Sequence, residues 1–133
     1  TPANLLNARD IATLAVSLAA DHGLEVEVFD ADQLRVMGCG GLLGVNAGSA
    51  EPPRMVKLTY TPSKPRAHVC LVGTGVMYDS GGISLKSSDA MHQVMKMDMS
   101  GAAAVFSTMF ALPDLRGRTK VTAFLMCTDN MPS

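Results

Sequence analysis

The stretch VMYDSGGISLK, Val76 to Lys86, puts an aspartate, two adjacent glycines and a lysine into one short segment. It follows an apolar run, Val69-Cys70-Leu71-Val72, and a second aspartate, Asp98, comes soon after in MKMDMSGAAAV. Three chemistries use such residues. Asp-Ser-Gly-Gly is good turn material, because an aspartate caps backbone N–H groups and glycine takes positive φ. A glycine-rich loop after a strand can cradle phosphate. Paired carboxylates with a lysine nearby can hold a divalent cation.

The phosphate reading fails on spacing. Gly73-Thr74-Gly75 opens like a dinucleotide fingerprint, but Tyr78 stands where the third glycine belongs. No Gly-Lys pair exists for a Walker loop. The turn and the metal site both remain. Asp98 favours a cation, since the sequence sets it in a packed helical stretch among Met95, Met97 and Met99. A carboxylate there is costly unless a cation or several donors meet it. Lys96 is two residues away and faces elsewhere. Of the histidines, His92 reads as surface, His22 as a helix end and His68 as a strand start, and no HExxH is present.

The elements that must position these residues follow from periodicity. Asn7 to Asp21 reads as a helix, with Leu5, Ile11, Leu14, Ala15 and Leu18 at helical spacing and His22-Gly23 as its stop. Leu24 to Phe29 alternates as a half-buried strand. Ala31 to Met37 is a short helix ending at Gly38. GCGGLLGVNAGSAEPPR reads as an ordered loop with a short helix, closed at Pro52-Pro53, because Leu42, Leu43 and Val45 need burial. Met55 to Tyr60 and His68 to Thr74 are strands whose short link predicts an antiparallel pair. A long helix is expected over Ala90 to Leu112, ended by Pro113, and a buried strand over Thr119 to Thr128. The order predicts an α/β fold, a mixed sheet flanked by helices, with ligands at the carboxyl ends of strands.

Composition bounds the rest. A chain of 133 residues with 47% hydrophobic content suffices for one domain with a real core. Its net charge of −1 gives no basic stripe for nucleic acid. Its apolar runs are too short to span a bilayer. Cys39, Cys70 and Cys127 are too scattered for a disulfide framework. Cys70 and Cys127 read as reduced core residues, which points to a cytoplasmic location. The first residue is Thr1, so the natural N-terminus is expected upstream.

VGTGVMYDSGGISLK followed by MKMDMSGAAAV closely resembles the leucyl aminopeptidase family of dinuclear metallo-exopeptidases. That family reads VGKGxxxDSGGxxxKP and then K-x-DM-(G/S)-GAAAV. TPAN, GLLGVNAGSAEPPR and CTDNMPS extend the resemblance across nearly the whole chain. It implies a zinc-exopeptidase-like three-layer sandwich, with residues 1–133 the N-terminal half of a catalytic domain that is incomplete at its C-terminus. It further implies two divalent metal ions (zinc or manganese, with magnesium allowed), peptide substrates, a cytoplasmic homo-hexamer, and release of leucine-like N-terminal residues. By the same resemblance Asp79 bridges the two metals, Asp98 ligates the tighter one, Lys86 polarises the substrate carbonyl and stabilises the gem-diolate, and Met95 lines the pocket for the first side chain.

This sequence departs from the pattern in three ways. Thr74 replaces a lysine that ligates one metal, and a threonine hydroxyl is a poorer and shorter donor. Ser87 replaces a proline. The family's NTDAEGR segment, which carries an aspartate, a glutamate and an arginine, belongs downstream of TDNMPS. Residues 1–133 alone are therefore expected to lack peptidase activity. The alternative is a degenerate, non-catalytic homologue acting as a structural or binding subunit.

Overall fold

The computed structural model describes residues 1–132. Its elements run α1 (Ala8–Ala19), β1 (Glu25–Phe29), α2 (Ala31–Val36), α3 (Gly40–Asn46), β2 (Arg54–Tyr60), β3 (Ala67–Asp79), α4 (Ala90–Val94), a 3-10 turn (Met95–Met97), α5 (Ser100–Leu115) and β4 (Thr119–Asn130). The four strands form one mixed sheet in the order β1-β2-β4-β3. β2 runs antiparallel to β1 and β4, while β3 and β4 are parallel.

This order corrects the expected pairing of β2 with β3. The two strands do run antiparallel to each other, but β4 lies between them. β3-α5-β4 is a parallel crossover unit, so β4 must lie beside β3. The sequence of β4 also suits the interior, with Ala123, Leu125 and Cys127 fully buried. The six residues from Thr61 to Arg66 need only span two strand spacings, about 10 Å. Six extended residues reach about 20 Å.

The sheet has two unequal faces. Val56, Leu58, Val121, Ala123 and Leu125 join α1 and α5 in the main core. α1 is capped at Asn7, whose side chain accepts from Arg9 N and Asp10 N. Its buried stripe is Ala8, Ile11, Ala12, Ala15 and Ala19, not the leucines; Leu5 and Leu14 are exposed. Alanines face the sheet because the helix lies close to it. α5 approaches closer still. A Cβ on Gly73 would sit 2.6 Å from Ala102 Cα and from Gly101 O, so only glycine permits this contact.

The opposite face carries α3, tied down where Asn46 Nδ2 donates to Thr128 Oγ1 at 3.0 Å and to Glu51 O at 2.8 Å. Cys127 is a core thiol, its pKa pushed up to about 12 by burial. Cys70, expected in the core, is exposed, because β3 is an edge strand and its neighbour on the open side is solvent.

The long helix expected over Ala90 to Leu112 is broken. α4 ends at Val94, the 3-10 turn follows, and Asp98 and Met99 take ψ of −4° and 3° before α5 begins. Pro113 lies inside the last turn of α5 rather than ending it. A proline there forfeits only one late backbone bond, and the helix closes at Arg116 with φ 50°.

Candidate metal and peptide site

The site forms where β3 and β4 end together. β3 runs through to Asp79, and the register shifts between Val76 and Asp79, so Asp79 pairs with Asn130 at the last rung. The shift re-aims the Asp79 side chain at the strand end. The loop then turns back on two left-handed glycines, Gly81 at φ 94° and Gly82 at φ 65°. A Cβ on Gly81 would collide with Ser84 O, and one on Gly82 would lie 2.6 Å from Asn130 Oδ1. Glycine is needed at both positions for conformation and for space.

The turn brings Lys86 back onto Asp79. Lys86 N donates to Ser80 O at 2.9 Å. Lys86 Nζ donates to Asp79 Oδ2 at 2.7 Å and to Met95 Sδ at 2.9 Å. Asp79 Oδ1 accepts from Gly81 N at 2.9 Å and from Asn130 Nδ2 at 2.7 Å. Burial by itself would raise the Asp79 pKa. The donors Lys86, Gly81 and Asn130, with the Lys86 charge, outweigh it and hold the carboxyl below its ordinary 3.8. Asp79 is therefore an anion across the physiological range.

Three of the four residues singled out from sequence thus meet: Asp79, Lys86 and Met95. Asp98 lies on the turn that carries Met95 and is half-buried, not buried. Its N–H donates to Met95 O at 3.2 Å, and its carboxylate has no hydrogen bond or ion pair among the described residues. Tyr78 anchors the same turn region from β3, its hydroxyl donating to His92 O at 3.0 Å. Thr74 sits apart, lining a cavity of about 430 Å³ with Cys39, Leu42 and Met126 on the α3 face. His68 and His22 are remote, on Thr122 and against Phe110 respectively.

The turn reading and the cation reading are both served by this geometry. Asp79 does cap the loop, through Gly81 N. It also keeps an acceptor position free, because a carboxylate offers about four lone-pair sites and three donors meet it among the described residues. Asp79 and Asp98 fit a hard divalent cation as two oxygen donors. They do not complete a site: among the described residues no group of three or more His, Cys, Asp or Glu side chains is placed to hold a metal.

Sequence reasoning missed two residues here. Asn130 donates to Asp79 from its side chain and accepts from Ser80 N and Oγ at its carbonyl, and the signal for it was the TDNMPS motif at the strand end. Asp129 is a buried carboxylate beside it, with Oδ1 unpartnered. Burial, assisted by the Glu51 charge, raises its pKa against the opposing hydrogen bond from Tyr78 N–H. Asp129 lines a cavity of about 700 Å³ with Glu51, Tyr78, His92 and Lys96. Asp79, Lys86 and Asp98 do not line that cavity.

The chain is similar in sequence and in fold to known proteins. A probable cytosol aminopeptidase of Streptomyces avermitilis is 50% identical over 133 residues, covering 100% of this chain and 26% of the relative. The bottromycin maturation enzyme BotP, solved in complex with Mn, superposes with a TM-score of 0.92 at 44% identity, over 100% of this chain and 29% of its own. Apo leucyl aminopeptidase from Trypanosoma cruzi superposes at 0.93 with 38% identity, over 100% of this chain and 26% of its own. The chain thus spans about a quarter of the length of the relatives it matches. Among the described residues no helix is long and apolar enough to cross a membrane. The model of the cytosol aminopeptidase family, catalytic domain, matches residues 1–133, and the chain belongs to that family.

Proposed function

We propose that these residues form the N-terminal half of the catalytic domain of a divalent-metal aminopeptidase, which releases leucine-like residues from the N-termini of peptides. The observation that carries this is the Asp79–Lys86–Met95 contact with Asp98 on the adjoining turn. The manganese bound in the BotP relative supports it. Asp79 and Asp98 would hold two divalent ions, zinc or manganese, together with carboxylates supplied from beyond residue 133. Bound there, such ions polarise water and the scissile carbonyl.

The chain's own residues do the rest. Asp79 stays ionised at neutral pH and offers its remaining lone pair. Lys86 presents a half-buried ammonium at the same point and donates to the negative charge that develops on the carbonyl oxygen. Met95 touches that ammonium and gives an adaptable apolar wall for the first side chain of the peptide. The glycine turn lets backbone pass close to the substrate without a Cβ in the way. The whole polypeptide works as a cytoplasmic hexamer. Residues 1–133 alone release no amino acid, because the described carboxylates do not complete the centre.

The test is hydrolysis of leucine p-nitroanilide by the full natural polypeptide, stripped with chelator and then given Mn²⁺. Activity that is lost and then restored supports the reading; no release under either condition overturns it. Thr74 favours a second reading, a non-catalytic homologue, because it lines the α3 cavity and stands where the family pattern has a lysine. In that case the Thr74→Lys variant gains neither Mn²⁺ affinity nor activity.

A further inference from the structure

We propose that Asn130 is a positioning residue that decides which oxygen Asp79 presents to a cation. This rests on the reading of Asp79 as a metal ligand. Asn130 is the last residue of β4 and the rung partner of Asp79. Its Nδ2 donates to Asp79 Oδ1 at 2.7 Å, and Gly81 N donates to the same oxygen at 2.9 Å. Those two donors use both lone pairs of Oδ1. Oδ2 accepts only Lys86 Nζ, at 2.7 Å, among the described residues. The free lone pair is therefore on Oδ2, and a cation meets Asp79 through that oxygen, beside the ammonium of Lys86.

Asn130 is itself locked in place. Its backbone carbonyl accepts from Ser80 N at 3.0 Å and from Ser80 Oγ at 2.7 Å. Ser80 Oγ in turn accepts from Gly82 N at 3.2 Å. The Asn130 Oδ1 lies 2.6 Å from where a Gly82 Cβ would stand, so a glycine at 82 is what leaves the amide its place. Asn130 thus ties the end of β4 to the carboxylate through its side chain and to Ser80 through its backbone carbonyl. An amide suits this place and a carboxylate does not: it donates to Asp79 without adding a like charge beside it. Donors behind a ligating carboxylate fix its orientation, and their loss typically weakens metal binding about 10–100-fold.

The test is calorimetric titration of the full natural polypeptide with Mn²⁺, comparing wild type with Asn130→Ser, whose hydroxyl is too short to reach Asp79 Oδ1. Mn²⁺ affinity should fall about 10–100-fold while the circular dichroism of the metal-free variant matches wild type. A purely structural role would lower the melting temperature and leave the affinity of the folded protein unchanged, and that result overturns the inference. If Asn130→Ser does not fold, Asn130→Leu serves instead, since it keeps the volume of the side chain but has no donor for Asp79. Mn²⁺ affinity equal to wild type in that variant also overturns it. Wild type that binds no Mn²⁺ at all sinks the proposed function and this inference with it. Wild type that binds, with variants that bind equally well, sinks this inference alone.

Discussion

The ammonium of Lys86 stands 2.7 Å from Asp79 Oδ2, closing a loop whose two ends are seven residues apart. The pair is partly buried, with side-chain exposures of 36% for Lys86 and 20% for Asp79. The one contact has two consequences. It neutralises a carboxylate that would otherwise be half-desolvated. It also holds an ammonium beside the carboxylate, at the point where the proposed chemistry needs a cation.

Lys86→Met keeps the stem and removes the charge. Unfolding in urea should show a loss of about 1 kcal/mol near neutral pH, the lower part of the range for a charged hydrogen bond because solvent screens Lys86. The pH dependence has a definite sign. The folded pKa of Asp79 lies below 3.8, so its contribution is present above the unfolded value and is lost as pH falls through the folded one. The gap between wild type and variant should be full near neutral pH and close in the acid range below 3.8. In the full polypeptide the same change should lower turnover by about 10²–10³, the usual cost of removing one oxyanion donor. An equal gap at all pH values contradicts this.

Asp129 carries the opposite sign. Its folded pKa is raised, so the folded state holds a proton that the unfolded chain has already released. Stability therefore falls as pH rises from the unfolded value through the folded one. Asp129→Asn keeps the shape and an oxygen for the bond from Tyr78 N–H, and it removes the carboxyl that feels the like charge of Glu51. Near neutral pH the variant should be more stable than wild type by more than the roughly 0.5 kcal/mol of a neutral surface change. At a pH below the unfolded value the gain should vanish. Thermal melts at the two pH values read both outcomes.

Gly73→Ala tests how closely α5 is seated on β3. The added methyl meets backbone on both sides, Ala102 Cα and Gly101 O at 2.6 Å, so no side chain can move aside. Helix and strand must separate, at a cost of about 1–3 kcal/mol or more. Urea midpoints within error of wild type would show that the helix is not seated this way.

Much of this was legible in the sequence where a local signal acts alone. The first helix with its stop at Gly23 and the short second helix ending at Gly38 follow from residue type and spacing. Asp79, Lys86 and Met95 converge because two glycines force one turn. The failures were non-local. Strand order depends on the β3-α5-β4 crossover, which outranks the short link from Tyr60 to Ala67. Cys70 looked like core because its run is apolar, yet an edge position leaves it exposed. The break at Met95–Met99 carries no proline or glycine, so periodicity read straight through it. Asn130 lies 51 residues from Asp79, and only the folded sheet brings them together.

The most direct measurement is an anomalous difference map at the manganese edge from crystals of the full natural polypeptide soaked in Mn²⁺. The account predicts a peak within bonding distance of both Asp79 Oδ2 and an oxygen of Asp98, with Lys86 beside it. A fully soaked crystal with no manganese at these two carboxylates would contradict it.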